Sequence, residues 1–275
     1  MHIRRLTHGG WHVNHWLDIA GTRGAVHSVV LRQWARPGWD IEDPDFNASR
    51  EMAIYRLLSG TDLPVPRLLA ADPDGTTCGV ASILITALPG QHPSERSIDR
   101  ETYLRQLAAA LSSVHAVDFA QQPIPPYRPY HDFQAAEPSA ALAEQDLWQR
   151  VIERAAHRVP PGRSCFIHRD FHPENTLWLD GRLTGIVDWT AASIGSPAVD
   201  VAHMRWNLAL AFGADTADAF QRAYVERVGG TYPDQRHWDL VTLADIVAER
   251  GFDPSPPEHG RLARYAQDLL GVSPK

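Results

Sequence analysis

The sequence predicts an α+β fold: a small antiparallel sheet with one helix, then a larger and mainly helical part. Three observations carry this. The first ~90 residues alternate β-rich runs with glycine turns. Further on, apolar residues recur at helical spacing. The composition shifts at Pro89-Gly90, which divides the chain into segments 1–88 and 89–275.

Each element has a local reason. A strand over 3–6 meets a tight loop at Gly9-Gly10, and a β-rich run over 11–20 follows. Gly21-Thr22-Arg23-Gly24 turns the chain into a third run, 25–34. Met52, Tyr55 and Leu58 share one face of a helix over 46–58, which Gly60, Pro64 and Pro66 end. Residues 81–88 are a short apolar strand stopped by Pro89-Gly90. Leu104, Leu107, Ala108, Leu111 and Val114 then form one helical stripe, with Ser97 or Asp99 as cap. Residues 119–140 are rich in Pro, Gln, Ala and Tyr and read as an irregular insertion, followed by a helix over 142–156. A hairpin pairs 176–179 with 183–187 around Asp180-Gly181, a sequence that suits a tight primed turn. Ser196-Pro197 opens a helix over 198–212. Two or three further helices complete the chain, one of them ending at Gly229-Gly230.

Composition narrows the function. At 275 residues the chain buries a sizeable core, as one large domain or two modest ones. A net charge of -7 argues against a nucleic-acid binder that relies on a positive field. Apolar runs such as 208–212 are far too short to cross a bilayer, and no apolar stretch behind the basic start suggests a secretion signal. Cys78 and Cys165 lie far apart, which points to a reducing, cytoplasmic setting with both thiols packed as small hydrophobes.

The chemistry concentrates in F-I-H-R-D-F-H-P-E-N-T-L-W, residues 166–178, and in I-V-D-W, residues 186–189. A carboxylate at Asp170 can orient a hydroxyl and take its proton. Asn175 offers an amide oxygen, and Asp188 lies at the end of the second hairpin strand, so the hairpin brings the two side chains back near each other. One amide and one carboxylate suit magnesium, which takes few protein ligands together with water and phosphate oxygens. A base and two metal ligands describe a phosphoryl-transfer site.

H-R-D-F-H-P-E-N matches the kinase catalytic loop H-R-D-x-x-x-x-N, and I-V-D-W stands where D-F-G would. No A-P-E triplet follows. The chain therefore resembles the aminoglycoside phosphotransferase and choline kinase-like superfamily of small-molecule kinases. The resemblance implies a two-lobed, protein-kinase-like fold, with a nucleotide-binding lobe over 1–88 and a catalytic and substrate-binding lobe over 89–275. It implies a phosphate loop at Gly9-Gly10, followed by Asn14. It places the phosphate-contacting base at Arg32, where many relatives carry Lys, and the helix carboxylate that pairs with this base at Glu51. Arg can bind phosphate bidentately, but it does not simply replace Lys. The Thr86 carbonyl and the Leu88 amide would face the adenine. His168 and Asp200 would support the catalytic loop; a carboxylate in the first turn of a helix also suits the helix dipole. The donor would be ATP, or GTP, with Mg2+. The acceptor would be a small hydroxylated molecule, cationic in some relatives: an antibiotic, as in resistance enzymes, or a choline, amino-alcohol, homoserine or sugar metabolite.

Two rivals have sequence features of their own. His168, Asp170 and His172, with His115 or His203, would make a zinc metallohydrolase, which leaves Asn175 and Asp188 unexplained. A non-catalytic nucleotide-binding module would ordinarily lack one of Asp170, Asn175 and Asp188, and all three are present.

Overall fold

In chain order the elements of the computed structural model are strands β1 (His2–Leu6), β2 (Val13–Ala20) and β3 (Val26–Gln33), helix α1 (Ala48–Leu58), and strands β4 (Leu68–Asp72) and β5 (Ser82–Thr86). Helices α2 (Arg100–Val114) and α3 (Gln145–Ala155) and strand β6 (Cys165–Ile167) follow. Strands β7 (Thr176–Leu179), β8 (Arg182–Ile186) and β9 (Ser193–Gly195) come next. Helices α4 (Pro197–Phe212), α5 (Ala214–Val228), α6 (Gln235–Ala248) and α7 (Pro256–Leu270) complete the set. The structure describes residues 2–6, 12–21, 25–35, 46–93, 99–119, 124–157, 162–230 and 234–272. Among them, no helix is long and apolar enough to cross a membrane.

The fold is α+β, as the patterns predict, and it forms two compact units: residues 1–95, 117–125 and 174–192 in the first, the rest in the second. The first unit takes in the 176–186 hairpin, so the units interleave along the chain instead of dividing once at residue 88.

In the first unit, β1 to β5 form one antiparallel sheet in the order β1-β2-β3-β5-β4. The pairing places Asn14 opposite Arg32 and Val29 opposite Thr86. Helix α1 starts at Asn47, whose side chain accepts the Arg50 amide at 2.9 Å. It buries Glu51, Ile54, Tyr55 and Leu58, so a carboxylate shares the stripe with three large side chains. Met52, expected on that face, is only half-buried. Strand β4 was hidden from sequence reading because Pro64 and Pro66 just before it look like helix stops. β7 and β8 pair with Leu179 opposite Arg182, leaving Asp180 (φ 49°) and Gly181 (φ 73°) as the two turn residues. Gly90 (φ 112°) lets the following chain run against this hairpin: Gln91 and Trp178 exchange backbone bonds at 2.9 and 2.7 Å.

In the second unit, α4 is buried on most of its surface, including Val199, Val201, Ala202, Met204 and Leu208, and packs against α5, α6 and α7. The expected caps hold: Asp99 accepts the Thr102 amide at 2.9 Å, and Ser196 precedes Pro197. The short strands β6 and β9 pair antiparallel and carry the chain into and away from the catalytic motif. They are three residues each, too short for an alternation signal. Cys165 is buried, and burial pushes its thiol up to about 12. Cys78 is exposed, which corrects the expectation that both thiols are packed.

Candidate active site

The polar centre of the first unit is Arg32 on β3. Its Nε lies 2.9 Å from Glu51 Oε2, and its Nη2 donates to Asp188 Oδ1 and, at 2.7 Å, to Thr190 Oγ1. The Thr190 hydroxyl lies 3.0 Å from both Glu51 Oε2 and Asp188 Oδ1. Arg32 is 6% exposed and Glu51 fully buried, so each charge needs the other. Burial works against the guanidinium, yet the Asp188 and Glu51 carboxylates outweigh it and raise the Arg32 pKa further. Burial pushes the Glu51 carboxyl up, and Arg32 opposes that shift. Arg50 closes the adjoining turn, with Nη2 donating to the Ala192 carbonyl at 2.6 Å and to Ala191 at 3.2 Å.

Asn175 and Asp188 sit at the open end of the β7–β8 hairpin. Thr176 pairs with Ile186, and the Val187 amide donates to the Asn175 carbonyl at 2.9 Å. Asp188 is left-handed at φ 64°, a conformation that costs a non-glycine residue of order 1–3 kcal/mol. The ion pair to Arg32 and the Thr190 hydroxyl hold it there. One amide oxygen and one carboxylate at the mouth of a hairpin fit a magnesium ion.

Thr86 ends β5. Its amide donates to the Arg67 carbonyl, and its hydroxyl accepts the Arg67 amide, both at 2.9 Å. The Leu88 side chain lies over Gly185, where an added Cβ would come within 2.9 Å of Leu88 Cδ1. Gly9 and Gly10 lie outside the described residues. Just beyond them His12 is 8% exposed, packed edge-on to Trp34 (4.8 Å) and stacked on Phe46 (5.7 Å).

The second unit holds Asp170. Asp200, in the first turn of α4, is fully buried, with Oδ2 accepting the His168 amide at 2.8 Å and Oδ1 the Arg169 amide at 2.6 Å. His115 Nε2 also meets Oδ2 at 3.0 Å, while its Nδ1 lies 2.6 Å from the Tyr224 hydroxyl. Arg169 is left-handed (φ 70°); its guanidinium donates to the Arg128 carbonyl at 2.7 Å and lies 3.9 Å over the Tyr130 ring. This backbone presents Asp170 with about a third of its side chain open. His203 Nε2 stands 3.1 Å from Asp170 Oδ1, and His172 Nε2 stands 3.7 Å from Oδ2. Burial would raise the Asp170 pKa, but the two imidazoles outweigh it and hold the carboxyl well below its ordinary range. His168 is fully buried and joins the clamp through its backbone amide.

Arg32, Glu51 and Asp188 thus meet in one unit, and His168, Asp170 and Asp200 in the other. Sequence reasoning missed Thr190 and the pairing of His203 with Asp170. His203 lies three residues past Asp200 on the same helix, and that spacing was the available signal. Among the described residues, no three His, Cys, Asp or Glu side chains are grouped to hold a metal ion.

A model of the phosphotransferase enzyme family matches residues 3–264. The chain belongs to this phosphotransferase family. Hygromycin-B 4-O-kinase of Escherichia coli is 23% identical over 262 residues, covering 81% of this chain and 72% of that protein. The uncharacterized protein YcbJ of Bacillus subtilis (strain 168) is 32% identical over 113 residues, 36% of each chain. The chain spans about a third of the length of the first curated relatives it matches, 36% and 27%. A thermostable mutant of the aminoglycoside phosphotransferase APH(4)-Ia, solved with ADP and hygromycin B, superposes with a TM-score of 0.69 at 18% identity over 99% of this chain and 95% of that one. The family's two-lobed kinase fold is therefore the fold of this chain.

Proposed function

We propose that this phosphotransferase moves the terminal phosphoryl group of ATP, or of GTP, onto a hydroxyl of a small molecule. The observation that carries the reading is the junction of Arg32, Glu51 and Asp188: residues from a strand, a helix and a hairpin converge where a phosphate-binding cation, its carboxylate partner and a metal ligand are needed. The first unit would bind nucleotide and the second the acceptor.

Asp170 orients the acceptor hydroxyl, whose oxygen bonds to the γ-phosphorus as the bond to the β-phosphate oxygen breaks. The hydroxyl proton passes to Asp170 late in that step, and the bonding pair leaves with ADP. Asn175 and Asp188 would hold Mg2+, which when bound neutralises charge on the phosphates. Arg32, fixed by Glu51, contacts the phosphates. The Thr86 carbonyl and the Leu88 amide would bind the adenine, and Gly9 and Gly10 would supply the phosphate loop. His168 and Asp200 keep the catalytic loop in register. The catalysis is positioning and charge stabilisation. The acceptor is a hydroxylated, cationic antibiotic or a choline, amino-alcohol, homoserine or sugar metabolite, and two cysteines far apart in sequence support a reducing, cytoplasmic setting.

The test is ADP release with Mg-ATP across a panel of these acceptors. Acceptor-stimulated release that disappears in Asp170→Asn is expected. Release that no acceptor stimulates, or full activity in Asp170→Asn, would refute the reading.

A further inference from the structure

Thr190 is fully buried in the turn that follows β8. Its Oγ1 stands 2.7 Å from Arg32 Nη2, and 3.0 Å from both Glu51 Oε2 and Asp188 Oδ1. A guanidinium only donates, so Oγ1 accepts from Arg32. A hydroxyl has one proton, so Oγ1 donates to one of the two carboxylates at a time, and both stand at the same distance. The backbone around it is fixed on both sides. The Trp189 indole Nε1 donates to the Ile186 carbonyl at 3.0 Å, and Arg50 donates to the Ala191 and Ala192 carbonyls. Valine would fill the same volume without the cost of burying a hydroxyl, so the hydroxyl is there for its bonds.

We infer that Thr190 is a positioning residue for the metal ligand Asp188: its hydroxyl ties that carboxylate to the Arg32–Glu51 pair and keeps it oriented to receive Mg2+. This rests on the phosphotransferase reading above, in which Asp188 holds the ion. Asp188 has a strained backbone, at φ 64°, so its side chain depends on contacts of its own to stay in place. Two of these contacts, from Arg32 and Thr190, fall on the same oxygen, Oδ1. When Asp188 shares its charge with a cation it becomes a weaker acceptor. The Thr190 proton then turns to Glu51 Oε2, while Oγ1 keeps its bond from Arg32. The bridge therefore serves the loaded and the empty site alike, and Arg32, Glu51 and Asp188 stay in register. Groups that orient a metal ligand in this way govern affinity although they never touch the ion.

The test reads binding and not turnover. Mn2+ takes the same oxygen ligands as Mg2+, and its free ion gives an electron paramagnetic resonance signal that disappears on binding. Each protein is titrated with Mn2+ in the presence of ADP. Thr190→Val keeps the volume and removes the hydroxyl, whereas Thr190→Ser keeps the hydroxyl. Affinity is expected to fall about tenfold or more in Thr190→Val and to stay near the wild-type value in Thr190→Ser. Equal affinity in Thr190→Val and wild type would overturn the proposal and leave the metal site standing. An equal fall in both variants would overturn it too, because the methyl would then be what matters. If Thr190→Val does not melt cooperatively, Thr190→Ala takes its place, since it differs from Thr190→Ser by the hydroxyl alone. Asp188→Asn separates the two levels of failure. If it binds Mn2+ as tightly as wild type, or if wild type binds none, the metal assignment itself is wrong and the role of Thr190 falls with it.

Discussion

Asp200 accepts the backbone amide of Arg169 through Oδ1 at 2.6 Å, across 31 positions of sequence. With His168 on Oδ2, this bond makes a helix carboxylate the anchor of a loop whose next residue is the proposed base. A buried carboxylate with two amide donors and an imidazole is fully engaged, and that engagement sets the cost of losing it.

Asp200→Ala strands two buried amides and a buried imidazole. Leaving such groups without partners should cost about 3–5 kcal/mol, read by urea denaturation. Asp200→Asn keeps one acceptor oxygen and should lose less. A loss under about 1 kcal/mol in the alanine variant would mean that water replaces the clamp.

Arg32 serves two carboxylates, and its substitutions should separate charge from geometry. Arg32→Ala leaves Glu51 buried without its cation and should destabilise by about 3–5 kcal/mol. Arg32→Lys retains the charge but offers one compact ammonium in place of separate Nε and Nη2 donors to Glu51 and Asp188. It should fold with a smaller loss, of about 1–2 kcal/mol, and raise the nucleotide KM. An unchanged KM would remove Arg32 from the phosphate contacts.

His12 should make stability pH-dependent. Burial, and then the Arg32 charge, lower its pKa to about 3. Between its ordinary value near 6.5 and that value, the unfolded chain takes a proton that the folded chain refuses, so stability is fully present above the ordinary value and is lost as pH falls towards 3. Over the whole range this amounts to about 5 kcal/mol. His12→Phe, which keeps the aromatic packing, should flatten the curve of melting temperature between about pH 6.5 and 4. An equal slope in both proteins would contradict this.

Gly90→Ala should destabilise by about 2 kcal/mol. The position is at φ 112°, and an added Cβ would fall 2.6 Å from Thr184 Oγ1 and 2.8 Å from the Trp178 carbonyl. The hydroxyl can shift, but the carbonyl is tied to Gln91. Gly181→Ala is the comparison: its φ of 73° is also strained, but an added Cβ meets nothing within 4 Å, so it should cost less. Equal losses in thermal melts would show that backbone strain alone decides.

Local signals were legible wherever a residue's chemistry acts on its own neighbours. Asp180-Gly181 specified a two-residue turn, Asp99 and Ser196 capped their helices, and H-R-D-F-H-P-E-N with I-V-D-W specified the motif. Strands β4, β6 and β9 left no such trace, being short or masked by the prolines before β4. The Cys78 exposure and the half-burial of Met52 went the other way, because a residue's hydrophobicity does not say which face it occupies.

The sequence by itself determined the helices, the longer strands, the turn of the β7–β8 hairpin and the residues of the motif, because periodicity, caps and spacing act within a few residues. Only the tertiary structure decided that Arg32 serves Glu51 and Asp188 together, that Asp200 binds the loop amides, and that His203 meets Asp170. Those partners lie between 19 and 156 positions apart in sequence. A buried charge takes whichever partner the packing brings within about 3 Å, and packing is a property of the whole fold.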